Sequence, residues 1–343
     1  MGLILGLIAL NFSRSPEWRE FSGDRLWSVL VHASPAYLLA AVVITLSSYL
    51  IRAYRWGAFV DPIKKTSLWM LFVGQVLGFC SIYLIGRPGE FVRPAYIARK
   101  TEVPITTMVA ILVLERVYDT VMLVVIFAAA LIFSALDPVS GSTGTIRTHL
   151  DEAGQVMAIL IVLMVVLLVY FRLHAERLRP KVVRKFSFLG SAAQHHLDHF
   201  LHSFAEGLKV IHSAKSLAAS GVSTVILWIM NVSVFFFTFR SLGGDLARLS
   251  WFAAAMAVFF AVMGLMIQFP GIGGGYQVGI IIALTELFSV GVEAATGAAI
   301  LIWIMVAAPC LALGAVLLVH EGLTFRKLKA IAEEERALVN DEG

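Results

Sequence analysis

Long stretches of this chain are apolar and almost free of charge, and that decides which backbone they can form. In lipid every amide and carbonyl must be paired inside the segment or in a closed barrel. A helix needs about 20 apolar residues to cross the hydrocarbon core. Such runs fall at 2–12, 35–51, 66–86, 104–134, 155–171, 217–239, 249–268, 276–289 and 294–319. None shows the strict alternation of a membrane barrel strand, so each reads as helix, with the first and 276–289 short for a crossing. The composition agrees: 59% of residues are hydrophobic and 15% charged, against roughly 25% charged in soluble domains. The chain reads as an all-α polytopic membrane protein with about 6 to 8 membrane helices. A single transmembrane domain is expected over 1–325, with a charged cytoplasmic tail over 326–343.

The isoelectric point of about 9.1 does not imply nucleic acid. The basic residues sit between apolar runs, where they orient a membrane protein by remaining cytoplasmic. Arg52, Arg55, Lys64 and Lys65 follow the second run, and Arg87, Arg93, Arg99 and Lys100 follow the third. Arg52, Arg55 and Trp56 read here as interfacial anchors. The two cysteines, Cys80 and Cys310, lie far apart in apolar runs, without metal or redox spacing. No metal or cofactor is expected. The start, 2–12, lacks a basic n-region and a cleavage pattern, so it reads as a first span.

Two breaks interrupt the apolar runs. The first is Ile85-Gly86-Arg87-Pro88-Gly89-Glu90-Phe91-Val92-Arg93-Pro94, and the second runs from Gln268 to Gln277 through Pro270, Gly271 and Gly273–Gly275. Proline removes a backbone donor and glycine admits the angles a break needs. Broken backbone survives at membrane depth only where protein buries it or a wet cavity meets it. If 66–86 crossed fully, its basic flanks would face opposite compartments. A hairpin of 66–86 and 89–100 entering from the cytoplasm removes that conflict. The same reasoning makes 249–268 and 276–289 a hairpin entering from outside, with both termini cytoplasmic; full crossing of all segments is the alternative. Hairpin plus long helix then occurs twice, over 66–134 and 249–319, in opposite orientation, as an inverted repeat. Over 187–213 an apolar stripe, Leu197, Phe200, Leu201, Phe204, opposes His195, His199 and His202. This reads as an interfacial amphipathic helix, with zinc as the less favoured use of the histidines.

By this division all but one of the 27 lysines and arginines lie in loops and tail. The exception is Arg116, within Leu114-Glu115-Arg116-Val117-Tyr118-Asp119. A charge at that depth is costly and marks a functional pathway, or else a structural ion pair. Either way it needs a carboxylate, and Glu90, Glu115 and Asp119 are the candidates. Arg87 and Arg93 carry guanidinium forks suited to phosphate, with Glu90 placed to orient them; a topology-setting loop is the competing reading. Gly271, Gly273, Gly274 and Gln277 mark the second break, where free amides at a helix start could receive an anion or glycines could serve tight packing.

These residues carry a resemblance. Arg52-x-x-Arg55-Trp56, Arg87-x-Gly89-Glu90-x-x-Arg93, Glu115-Arg116-x-x-Asp119 and Phe269-Pro270-Gly271-x-Gly273-Gly274 make the chain similar to the flippase-like membrane region of lysylphosphatidylglycerol synthase, including its stand-alone members. The family pattern has a glutamate just after the glycine-rich break, where this chain has Tyr276-Gln277. The resemblance implies translocation of a phosphate-bearing lipid between leaflets of a bacterial cytoplasmic membrane, with the bilayer and that lipid as partners. No aminoacyl-transferase domain is expected, since little sequence follows the last run. The alternatives are a membrane-embedded enzyme or an accessory subunit of lipid or polyprenyl-phosphate glycan metabolism.

Overall fold

A computed structural model of the chain describes residues 21–134, 170, 184, 198, 214–265, 268–269 and 273–321. The runs 2–12 and 155–171, the stripe over 187–213 with its histidines, Gly271 and the tail 326–343 lie outside these residues or nearly so. The described helices are α1 (Gly23–Val31), α2 (Pro35–Val60), α3 (Leu68–Ile85), α4 (Val92–Thr101), α5 (Ile105–Ser134), α6 (Ala214–Leu242), α7 (Trp251–Gly264), α8 (Gly275–Ile282) and α9 (Val292–His320). By length and composition α2, α3, α6 and α9 can each cross a membrane. The chain is a helical multi-pass membrane protein.

Two features lie outside the apolar runs. The second apolar run ends at residue 51, yet α2 continues as helix to Val60. Ala53, Trp56, Phe59 and Val60 are fully buried on that extension, and their packing carries the helix past its arginines. The stretch 13–34, between the first two apolar runs, contains α1. Ser22 caps this helix by accepting from the Arg25 amide, with Asp24 in its first turn. Leu26, Val29 and Leu30 then pack against Gly297 at the start of α9.

Both breaks fold back on themselves. Gly86 ends α3 at φ +76°, a left-handed conformation that costs glycine nothing. A 3₁₀ turn over Arg87–Phe91 follows and delivers α4 onto α3. The contact is intimate, since a Cβ on Gly89 would lie 2.3 Å from the Ser81 carbonyl carbon. Lys64, before α3, donates to the carbonyl oxygen of Thr101, the last residue of α4. The hairpin therefore begins and ends at the same end of α2, which is the path of a re-entrant hairpin. At about 1.5 Å per residue the 18-residue α3 is about 27 Å long and the 10-residue α4 about 15 Å. In the second break, Gln268–Phe269 pairs antiparallel with Gly273–Gly274, and α8 then returns along α7. Added Cβ atoms would lie 1.9 Å from the Gly275 oxygen at Gly264 and 2.2 Å from the Phe260 oxygen at Gly279, so the two backbones touch.

The halves α2–α5 and α6–α9 exchange their contacts. Helix α2 packs on α3 as α6 packs on α7, and α4 meets α5 as α8 meets α9. The long helix of each half lies against the hairpin of the other: α5 on α7, and α9 on α3. The equivalent helices α2 and α6 pack on each other and run antiparallel. The Ser34 amide donates to the Ser241 carbonyl at 2.7 Å, Tyr37 stacks near Phe237, and Arg55 reaches Thr224 at the other end. That is the contact pattern of an inverted repeat, with each unit reaching back to include α2 or α6. Two hydrophobic clusters result. One surrounds the first hairpin, with Trp56, Phe59, Leu77 and Met108. The other surrounds the second, with Phe127, Phe239, Phe259 and Ile280.

Candidate functional site

Charge gathers where these two clusters meet, in two layers. The inner layer is closed. Arg55 on α2 donates from Nη1 to Asp119 Oδ1 at 2.6 Å and to Thr224 Oγ1 at 3.1 Å, and from Nη2 to Glu115 Oε1. Glu115 also accepts from Trp56 Nε1 at 3.0 Å and from Arg93 Nη2. Arg93 donates to Gln75 Oε1 at 2.7 Å and lies over the Trp56 ring, 4.5 Å from its centroid. Arg55 and Glu115 are 0% exposed and Arg93 3%. Buried guanidinium and carboxylate groups offset their desolvation only when each is paired and further hydrogen-bonded, as Glu115 is by Arg55, Arg93 and Trp56.

The outer layer faces a cavity of about 420 Å³, walled by α2, α3 and α5 from the first half and α6, α7, α8 and α9 from the second. Tyr83 from the first hairpin and Leu265 and Tyr276 from the second reach it. Its charged lining is Arg52, Arg116 and Asp119. The Arg116 side chain is 48% exposed, and its Nε lies 2.9 Å from Glu90 Oε1. Asp119 and Glu115 stand 3.7 and 4.0 Å from its other nitrogens. The expected acid partner of Arg116 is thus present in all three candidates. Arg52 Nη2 is 3.4 Å from Asn231 Oδ1 on α6, and its guanidinium sits 4.7 Å from the Phe79 ring centroid.

The structure sorts the residues singled out from sequence. Arg116 and Asp119 line the cavity, and Glu90 touches it through Arg116. Glu115 and Arg93 do not line it. They are consumed in the closed layer, where a headgroup could reach them only by breaking a buried ion pair. Arg87 begins the 3₁₀ turn that leads into α4. Gly273 and Gly274 pair with Phe269 and Gln268 in a short ladder rather than standing as a bare helix start. Gln277 lies in the first turn and a half of α8. Reading Arg52, Arg55 and Trp56 as interfacial anchors is overturned: Arg55 and Trp56 are wholly buried and Arg52 walls the cavity. One signal could have shown this. The residues after Arg52, Ala53-Tyr54-Arg55-Trp56-Gly57-Ala58-Phe59-Val60, stay largely apolar at helical spacing, which a cytoplasmic loop has no reason to do.

Compared with known proteins, residues 1–314 match the family model described as the lysylphosphatidylglycerol synthase TM region. A search of curated proteins returns no match.

Proposed function

The chain belongs to the lysylphosphatidylglycerol synthase transmembrane-region family, and we propose that it translocates a phosphate-bearing lipid between leaflets. Membership places it among membrane proteins of lipid metabolism or translocation. One observation carries the finer reading: a cavity with Arg52, Arg116 and Asp119 on its wall lies between two hairpins inside an apolar bundle. Ionisable groups inside a membrane bundle pair with each other and mark substrate paths. A site between inverted repeats can be opened to either side by rocking one repeat against the other. In this mechanism the closed layer of Arg55, Arg93 and Glu115 fixes α2, α4 and α5 as one rigid wall. Arg116, anchored by Glu90 and Asp119, presents its remaining donors to the headgroup phosphate, and Arg52 supplies a second guanidinium. The acyl chains stay in the bilayer while the headgroup passes through the cavity. In the orientation that fits the basic loops, the ends of the first hairpin face the cytoplasm of a bacterial cell.

The test is direct. Purified protein in vesicles containing chain-labelled fluorescent phospholipid should make inner-leaflet label accessible to an impermeant quencher. Vesicles with protein in which the quenched fraction stays at the protein-free level would refute translocation. Appearance of a chemically altered lipid would instead favour the enzymatic alternative.

A further inference from the structure

We propose that the cavity selects a lipid whose headgroup is a singly charged phosphodiester bearing hydroxyls and no amine. This deepens the translocation reading and rests on it. Among the described side chains, Arg52, Arg55, Arg93 and Arg116 surround Glu90, Glu115 and Asp119. Glu115 is held by Arg55 and Arg93, Asp119 by Arg55 and Arg116, and Glu90 by Arg116. Arg52 has no carboxylate partner among the described residues; its contacts are an amide oxygen and an aromatic face. Among the described side chains one guanidinium at the cavity wall, that of Arg52, therefore stands outside the ion pairs, and an unpaired cation at depth is costly. A phosphodiester supplies one negative charge. A phosphomonoester carries about 1.5 to 2 near neutrality and would leave an excess anion.

The same count opposes an amine. A headgroup ammonium needs an available carboxylate, and Asp119, the one on the wall, already serves two arginines. What remains on the wall is neutral and polar. Thr45, Ser48, Tyr49 and Arg52 line the cavity from a single face of α2. The Thr45 hydroxyl oxygen is buried with no hydrogen-bond partner among the described residues, and a buried polar group left so is costly unless something completes it. From Thr45 to Arg52 is about 10 Å along the helix. Phosphate at Arg52 and headgroup hydroxyls at Asn231 and Thr45 satisfy both unmet groups together.

The experiment compares chain-labelled phosphatidylglycerol, lysylphosphatidylglycerol and phosphatidic acid in the same proteoliposomes. Phosphatidylglycerol should move about tenfold faster than the other two, as loss of a charged hydrogen bond would give. If no lipid moves, translocation itself fails. If lysylphosphatidylglycerol or phosphatidic acid moves as fast, translocation stands and this selectivity is wrong. Uptake of soluble glycerophosphoglycerol would move the ligand from lipid to solute and also overturn it. Asn231→Asp sets a carboxylate beside Arg52 and should slow phosphatidylglycerol while narrowing its lead over the lysyl lipid; an unchanged ratio refutes the charge count. Thr45→Val removes the unpartnered hydroxyl at nearly constant volume. Slower phosphatidylglycerol transport with unchanged or raised thermal stability is expected, and transport equal to the parent would exclude Thr45 from the site.

Discussion

Arg52 and Arg55 stand three residues apart on one helix and do different work. Arg55 is sealed among Glu115, Asp119 and Thr224; Arg52 borders the cavity with an amide and a ring as company. Their mutants should separate accordingly. Glu115→Gln leaves Arg93 without a carboxylate in a dry interior and takes from Arg55 one of its two, and breaking a buried pair costs about 3–5 kcal/mol. The expected result is a clear drop in the melting temperature of the detergent-solubilised protein, with transport lost in step. Arg93→Lys should behave alike, since lysine cannot reach Gln75 and Glu115 with one planar fork. Arg116→Gln is the contrast. Its half-exposed side chain faces the cavity, so transport should fall several-fold while melting changes little. A large melting loss for Arg116→Gln would place that residue with the structural layer instead.

At the scale of elements, the hairpins make sharper demands than the long helices. Gly264 lies where a Cβ would meet the Gly275 oxygen at 1.9 Å, and backbone there cannot yield as a flexible side chain does. Gly264→Ala should therefore reduce folded protein, read as monodisperse yield on size exclusion. The same change at Gly291, with nothing within 4 Å of its Cβ position, should be tolerated. The path of the first hairpin is also testable. Lys65→Cys and Glu102→Cys, at its two ends, should label with an impermeant thiol reagent from one side of the membrane. Asp245→Cys, between α6 and α7, should label from the other. These variants are made in a Cys80→Ser, Cys310→Ser background. Labelling of Lys65→Cys and Glu102→Cys from opposite sides would mean that the first hairpin crosses.

For the whole molecule, the question is what can move. Helix α9 is tied at both ends: Glu293 to Arg25 and the Ser22 amide, and Glu321 to Lys100 and the Tyr96 hydroxyl. Burial alone would raise the Glu321 carboxyl, but Lys100 and Tyr96 hold it below the usual value of 4.5. A lowered carboxylate stabilises the fold fully above its unfolded value and loses that contribution as pH falls through the folded one. The Glu321 contribution should thus be constant near neutrality and decline on the acid side of pH 4.5, and Glu321→Gln should flatten that decline in pH-dependent melting. Midway along the helix, the sulfurs of Cys80 on α3 and Cys310 on α9 lie 3.5 Å apart, across the contact between the two halves. If the halves rock, an oxidant that joins these thiols should slow transport. Dithiothreitol should restore it, and the Cys80→Ser protein should ignore both reagents. Full transport in a protein shown to be cross-linked would remove motion at this contact from the mechanism.

What the sequence determined by itself is the apolar helices among the described residues, the two places where they break, and the need of Arg116 for an acid. Each follows from backbone pairing in lipid or from charges within a few residues of one another, and such physics is legible along a chain. Glu115 and Asp119 adjoin Arg116 in sequence, so their partnership could be read there. Arg55 meets Glu115 across 60 residues and Thr224 across 169, and no local pattern records that meeting. An arginine at the end of an apolar run can anchor in headgroups or be buried, and the difference lies in what packs over it. Here α5 brings two carboxylates and α6 a threonine and an asparagine. Only tertiary structure decided that Arg55 and Arg93 would be walled in as architecture while Arg52, one turn from Arg55, was left facing the cavity outside the ion pairs of the described residues.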